Sequence, residues 1–448
     1  MRTVCLTAVI IALHVARPAT ASPQDSHAPP VEATVRLTLA DAISRGLATS
    51  HRLAEAGARE DVARAAVEGR QAADRPEISI LGGYSRTNHV DEFAVPQPTG
   101  GFRVLYPDVP DNYHTRLDLQ WPIYTGGRTD ALTRAAAAEA KAVGSDMSVA
   151  RADLRLEITR AFWAYLTAQE AERVLEESLT RVDAHVTDVR NRLSVGLISP
   201  ADVMSAEAQS SRQRLFLIDA RNARDLAAGD LGRLAGLPPG ARIALDASLE
   251  EPAKPVGNPD SLVDEARAQR PERSAFEQRV TAAVERIEAA AAGKRPVVAV
   301  AAGYDYARPN PRIFPREDTW QDSWDAGVNV TWSLWDGGRV RAAVAEATAN
   351  SRAAEQRLAE FDSVLDVEVR QRRLDLESRV AAVGVAADAV RSAAEARRVT
   401  AERFAAGVAT STEVLDAQIT LLETELDRTR AIANVRLAEA RLERALGR

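Results

Sequence analysis

The chain has 448 residues, is 46% hydrophobic and 5% aromatic, and carries a formal net charge of −7. Abundant Ala and Arg with few aromatic residues suit long packed helices better than a compact enzyme core. The mild acidity, with no basic block and no stacking platform, argues against nucleic acid as a partner.

Met1-Arg2, an apolar run over 4–15 and Ala19-Thr20-Ala21 form a secretory signal at 1–21, with cleavage expected after Ala21. The apolar run is too short for a membrane anchor. The only cysteine, Cys5, lies inside this signal. The exported chain would therefore have no thiol, no disulfide and no cysteine metal site. No later stretch has the length of a transmembrane helix, so membrane entry would require strands. Residues 22–36, rich in Pro and polar side chains, read as a flexible tail.

An Ala-rich helical pattern covers 37–75 and stops at Pro76. Two β-hairpins are expected, at 77–124 and 297–335, from segments that alternate apolar and polar residues. Thr115, Leu117, Leu119, Trp121 and Ile123 alternate with His114, Arg116, Asp118, Gln120 and Pro122. Trp324, Ala326, Val328, Val330, Trp332 and Leu334 do the same near the second Gly-Gly-Arg. Each strand runs about ten residues, which suits a tilted strand crossing a bilayer, and Tyr or Trp stands towards the strand ends. The same alternation also occurs in soluble antiparallel sandwiches.

The chain is written twice. Gly126-Gly127-Arg128 returns as Gly337-Gly338-Arg339, each at the end of a strand. After each, a proline-free stretch continues to 194 and to 406, long enough for a helix roughly 100 Å in length. Leu175, Leu179, Val182, Val186, Val189 and Leu193 step by four and three, as do Met204, Ala208, Ser211, Leu215 and Ile218, and Leu415, Ile419, Leu422 and Leu426. That is coiled-coil spacing. Gly196 and Gly407 fit left-handed helix ends. Ser199 reads as a cap with Pro200 and Asp202 behind it, and Thr410 with Glu413 as a capping box.

The expected organisation is a first repeat at 37–236, with a helical hairpin over 128–235 turning near Gly196. A linker at 237–259 and a second repeat at 260–448 follow, the latter with a helical hairpin over 339–446 turning near Gly407. The fold class is mainly α with transmembrane β. Four strands cannot close a barrel, and an open sheet in lipid is prohibitive, so several copies are required. Two copies would give a filled barrel of eight strands, three a twelve-stranded barrel with a lumen.

The doubled strand–Gly-Gly-Arg–helix junction and the tips Val195-Gly196-Leu197-Ile198-Ser199 and Phe404-Ala405-Ala406-Gly407 resemble the TolC family of outer-membrane efflux channels, over nearly all of the exported sequence. The resemblance implies a homotrimer with a twelve-stranded barrel in outer-membrane lipid and a periplasmic helical barrel. It also implies docking to a periplasmic adaptor and, through it, an inner-membrane pump of RND or ABC type. The tip residues Val195, Gly196, Leu197, Ser199, Ala406, Gly407 and Thr410 are the expected adaptor contacts.

Gly126-Gly127-Arg128 lacks a P-loop pattern and reads as a turn from barrel to helix. The histidines His27, His51, His89, His114 and His185 have no ligand spacing, so no metal, cofactor or catalytic site is expected. By resemblance, Glu413 and Asp416 would supply carboxylate rings at a closed periplasmic entrance and favour cations. Capping alone also accounts for Glu413. Some members of the family carry a gate-locking Arg at the position of Ala409 and a Tyr at that of Phe404. Neither residue here can make those polar links, so the lock must be built differently or be weaker, with Asp202 as a remaining acidic partner. The expected function is a passive exit duct, for drug, metal or small-molecule efflux or for type I protein secretion. A periplasmic adaptor or a structural coiled coil is the alternative of another class.

Overall fold

The longest elements are two helices of equal length, α3 (Arg128–Ser194) and α7 (Arg339–Ala405), 67 residues each, in a computed structural model that describes residues 34–250 and 257–448. The signal read at 1–21 and Cys5 lie outside the described residues. Around these helices the chain runs β1 (Val35–Leu37), α1 (Leu39–Thr49), α2 (His51–Ala72), β2 (Glu77–Arg86), β3 (Phe93–Pro96), β4 (Phe102–Tyr106) and β5 (Asp111–Tyr124) before α3. Then come α4 (Pro200–Leu234), β6 (Ile243–Leu245), α5 (Pro259–Gln269), α6 (Pro271–Ala291), β7 (Val297–Arg308), β8 (Gln321–Thr331), α7 and α8 (Ser411–Leu446).

The four long strands form one antiparallel sheet in the order β2-β5-β7-β8, leaving β2 and β8 as open edges. Its register keeps one face apolar across every strand: Ile80 lies opposite Leu117, Leu117 opposite Tyr304, and Tyr304 opposite Trp324. These side chains are exposed in the single chain. The other face is polar, and there the Arg116 guanidinium reaches Asp118, Asp305 and Asp325 on three strands. It lies flat over Gly303, where a Cβ would strike it. Tyr84, Tyr113, Trp320 and Tyr306 make a run of ring contacts with centroids 5.0–5.9 Å apart at one end of the apolar face. Trp121 and Trp332 stand near the other end. Their indoles donate to the carbonyls of Asp74 and Lys294, both at 3.0 Å, so each hairpin is tied to the helix feeding it in the same way.

The helices pack below the sheet around two apolar centres. The first joins Leu37, Leu53, Ile158, Phe162, Leu231 and Ile243; the second joins Leu262, Val263, Leu365, Val369, Leu442 and Leu446. A buried ion network pins the second. Arg270 donates to Glu272, Glu368 and the Ala445 carbonyl, and Arg444 joins Glu272 to Asp153. Burial pushes the Glu272 carboxyl up, but hydrogen bonds from Arg444 and Arg270 outweigh it and hold it below the ordinary carboxylate range.

Several elements depart from the sequence expectation. The helix expected over 37–75 is two helices, because Ser50 ends α1 and caps α2 through the Leu53 amide. The second repeat likewise opens with two helices rather than one, because the chain breaks at Arg270 and Pro271 opens α6. The end of the flexible tail and the linker 237–259 both contribute structure, since β1 and β6 pair in parallel (Val35 with Ile243, Leu37 with Leu245). The loop at 88–112 holds a small hairpin, β3–β4, whose turn contains Gly100 and Gly101 at positive φ. The last strand stops at Thr331, short of the expected 335. On α4 the stripe from Met204 to Ile218 faces outward. The face that meets α3 is Val203, Ala206, Ser210, Gln213 and Leu217, a second set with the same four-three spacing.

At Gly46 the α1 backbone approaches the Leu234 carbonyl so closely that an added Cβ would stand 2.6 Å from its oxygen. A backbone atom cannot yield as a side chain can. Gly46→Ala is therefore expected to destabilise the helical region by about 1–3 kcal/mol, read as a lower unfolding midpoint of the detergent-solubilised protein.

Candidate functional site

Both helical hairpins turn through the same five-residue motif. Gly196, at φ 77°, donates to the Leu193 carbonyl at 2.9 Å, and the Leu197 amide donates to Arg192 at 3.0 Å. Gly407, at φ 78°, and Val408 repeat these bonds to Phe404 and Arg403. Paired bonds of this kind satisfy the last helical carbonyls, and the positive φ requires glycine. A capping box starts each return helix. Ser199 and Asp202 exchange amide and side-chain bonds at 3.4 and 3.1 Å, and Thr410 and Glu413 at 3.2 and 3.3 Å.

This geometry separates the acidic tip residues. The carboxylates of Asp202 and Glu413 are engaged at their own caps. Asp416 is exposed and its carboxylate has no partner among the described residues. At the turns Val195, Leu197 and Val408 are 68%, 71% and 63% exposed, an unusual display of apolar surface beside exposed Gly196, Ser199, Ala406, Gly407 and Thr410.

Phe404 is buried in a cluster with Val189, Val203 and Val414 rather than lining a surface. Arg192 lies 4.4 Å above its ring and donates to its carbonyl at 3.1 Å. His185 also packs against Phe404, with ring centroids 5.2 Å apart, and its Nε2 lies 2.9 Å from the Ser411 hydroxyl. Further along, Arg181 meets Glu425 at 2.8 Å. The two hairpins of one chain are thus tied by Arg192, His185 and Arg181 from α3. Sequence reasoning singled out none of these ties. The available signal was His185 itself, a polar residue between Val182 and Val189 in an apolar stripe, which needs a partner once buried.

The two Gly-Gly-Arg junctions are built alike. Gly126 and Gly127 have φ of 68° and 82°, Gly337 and Gly338 of 67° and 90°, and Arg128 and Arg339 begin the long helices. Asp336 accepts from the Gly338 and Val340 amides at 2.9 and 2.8 Å, so its own carboxylate occupies that helix start. The junction redirects the chain from strand to helix and holds no open anion cradle. Among the described residues no group of His, Cys, Asp or Glu has a metal-holding arrangement, and no helix is long and apolar enough to cross a membrane.

An amphipathic antiparallel sheet with an exposed apolar face, continued by helices roughly 100 Å long that end in capped tips, defines a channel-tunnel protein of the outer membrane. The chain belongs to the outer membrane efflux protein family, whose model matches residues 42–237 and 262–448. It is 23% identical over 413 residues to the outer membrane protein TolC of Vibrio cholerae, covering 91% of this chain and 90% of that one. It is 24% identical over 276 residues to the fusaric acid resistance protein FusA of Burkholderia cepacia, covering 58% and 52%. The fold matches the crystal structure of the Vibrio cholerae outer membrane protein VceC with a TM-score of 0.73 at 21% identity, covering 91% and 96%. The protein is a conduit rather than an enzyme, sited in the outer membrane with a periplasmic tunnel. Its family works in tripartite systems with periplasmic adaptors and inner-membrane pumps.

The tip seam should respond to pH. Burial holds the His185 imidazole below the ordinary histidine value of 6.5; Asp188 on its own helix opposes the shift and Arg192 adds to it. From α7 and α8 the side chains that meet it, Phe404 and Ser411, are uncharged, and Glu402, Arg403 and Glu413 at those ends are exposed. The folded tip therefore binds fewer protons than an opened one. Its stability is full above about 6.5 and falls as pH drops below that value. Tip-peptide protection from hydrogen exchange, taken relative to the intrinsic amide rate at each pH, should fall between about pH 7.5 and 5.5, and His185→Gln should flatten the dependence.

Proposed function

We propose that three copies of this chain close into a passive exit duct, which receives substrate at the helical tips from an adaptor-coupled pump and releases it through the barrel. One observation carries the reading: equivalent surfaces of the two repeats are buried in one repeat and open in the other. On α3, Ala131, Ala135, Ala138 and Ala142 are 0–5% exposed, with α2 and α6 on its two sides. On α7 the equivalent residues Ala342, Glu346, Ala349 and Ala353 are exposed, with α6 on one side alone. On α8, Leu415 and Leu422 are buried against α3. Their equivalents on α4, Met204 and Ser211, are exposed, as are Leu215 and Ile218 at 56% and 62%.

A second copy fits these open surfaces. The contact between the repeats inside one chain serves as the template for the contact between chains, with α7 and α4 meeting α2 and α7 of neighbours. Repetition about an axis leaves no edge, and three copies bring the four-stranded sheet to twelve strands, enough for a lumen. The adaptor is expected at the exposed apolar turn residues Val195, Leu197 and Val408. The pump determines the cargo, and small-molecule efflux is the reading favoured here.

At the entrance, Asp416 is the carboxylate free to face a lumen, whereas Asp202 and Glu413 serve the caps. Single-channel recording in a planar bilayer tests the whole reading. Small cation-selective openings are expected, with block by multivalent cations weakened at least several-fold in Asp416→Ala and much less in Glu413→Ala. Anion selectivity, or block unchanged in Asp416→Ala, would count against a carboxylate ring at the entrance. Absence of conductance from folded, inserted protein, in wild type and Asp416→Ala alike, would count against the duct.

A further inference from the structure

The junction at the end of the first hairpin is complete within the chain, and the equivalent junction at the end of the second is not. At the first, Arg295 Nη1 donates to the Gly126 carbonyl at 2.8 Å. Arg295 also fills the space beside that glycine, since a Cβ on Gly126 would stand 2.8 Å from the Arg295 Cβ and 3.1 Å from the Ala292 carbonyl. At the second, Gly337 has the same left-handed backbone, with nothing within 4 Å of an added Cβ. Its carbonyl has no donor among the described residues. The residue equivalent to Arg295 is Arg75, before Pro76 as Arg295 is before Pro296. Arg75 is exposed and its guanidinium has no partner among the described residues.

The strands beside these junctions differ in the same sense. β5 runs on to Tyr124 after its pairing with β2 has ended at Gln120, because β7 lies alongside: Trp121 pairs with Val300 and Tyr124 with Val298. β8 ends at Thr331, its last pair with β7, and beyond it no strand lies on either side. Trp332, Leu334 and Trp335 are left 57%, 80% and 88% exposed, although Trp332 and Leu334 continue the alternating pattern. The Trp121 and Trp332 indoles make matching bonds to the carbonyls of Asp74 and Lys294, so the two hairpins stand in the same relation to their own helices.

We propose that Arg75 of the partner subunit completes the second junction by donating to the Gly337 carbonyl, and that β2 of that subunit extends β8 through Trp335. This rests on the assembly proposed above and adds its register. Transferring the β5–β7 pairing sets Trp332 opposite Ile80 of the partner subunit. It sets Val330 opposite Gly82 of the partner subunit, and Val328 opposite Tyr84 of the partner subunit. Apolar side chains then meet apolar ones on the outer face, and Thr331 meets Leu81 of the partner subunit on the inner face. A slip of one residue would turn the whole outer face of β2 inward. A slip of two would preserve the faces but carry Arg75 of the partner subunit away from Gly337 by roughly 7 Å.

Cysteine pairs in the full chain, expressed in outer membranes, read the register, because the only native cysteine is Cys5. Directly opposed residues have Cα atoms about 4.5–5.5 Å apart, within disulfide range. Within one chain, β2 and β8 are three strands apart, roughly 14 Å, beyond disulfide reach. Thr331→Cys with Leu81→Cys should give covalent trimers on non-reducing gels, and Thr331→Cys with Ser79→Cys several-fold less. If the second pair links better, or neither links while light scattering still gives three copies, the register is wrong and the duct reading stands. A monomeric mass for the unlinked wild type overturns both. For the clasp, Arg75→Ala should lower the temperature at which the assembly dissociates in detergent, and Arg75→Lys should restore most of the loss. No change in Arg75→Ala, or equal loss in both variants, rules the clasp out.

Discussion

Everything in this structure depends on one constraint: in lipid, each backbone N–H and C=O must find a protein partner. The four-stranded sheet meets it internally between β2, β5, β7 and β8 and fails at both edges. An apolar face that includes Ile80, Leu117, Tyr304 and Trp324 suits a bilayer, yet the sheet alone cannot remain in one. The duplicated chain resolves the conflict economically. A unit that already knows how to pack against a copy of itself, repeat one against repeat two, can close a ring by doing the same between chains.

The helices carry that logic away from the membrane. Equal lengths of 67 residues in α3 and α7 bring both tips to one level, as a closed tube end requires. The glycine turns and capping boxes reverse each helix within five residues while pairing two helix-end carbonyls and two amides at each turn. Midway, the Arg270–Glu272–Arg444 network and the parallel β1–β6 pair tie the chain's N-terminal and C-terminal parts into the helical layer. At the tips the seam inside a chain has polar ties that its counterpart cannot copy. His185, Phe404 and Ser411 correspond to Ala396, Leu193 and Pro200, none of which can form a histidine–hydroxyl bond. In the assembly proposed above, the seams within and between chains would therefore differ in strength.

The parts legible in the sequence are those set by local chemistry. Glycine at a helix end, Ser or Thr three residues before Asp or Glu, and strict alternation beside Gly-Gly-Arg each have one favourable local structure, and the long helices and the sheet follow from them. The parts not legible depend on distant partners. Val35–Leu37 is too short to read as a strand without Ile243–Leu245 beside it. The stripe from Met204 to Ile218 has the right spacing for a coiled coil but faces outward, because α4 carries two such stripes and periodicity does not say which meets α3. The strand expected to 335 stops at Thr331 where pairing stops, since alternation marks a capacity for pairing and the partner supplies the pairing. At the tips, capping roles for Asp202 and Glu413 could be read directly. Phe404, considered as a gate residue from its position, is buried by Arg192 and His185 from a helix end over two hundred residues earlier in the chain.

The most direct test of the account is the mass of the assembly extracted from outer membranes in mild detergent, measured by native mass spectrometry. The account predicts a single species of three chains, with no folded single chain in equilibrium with it at membrane-like concentration. A folded, membrane-inserted single chain or pair as the main species would contradict it, because two edges of the sheet would then have to survive in lipid unpaired or be paired in some other way.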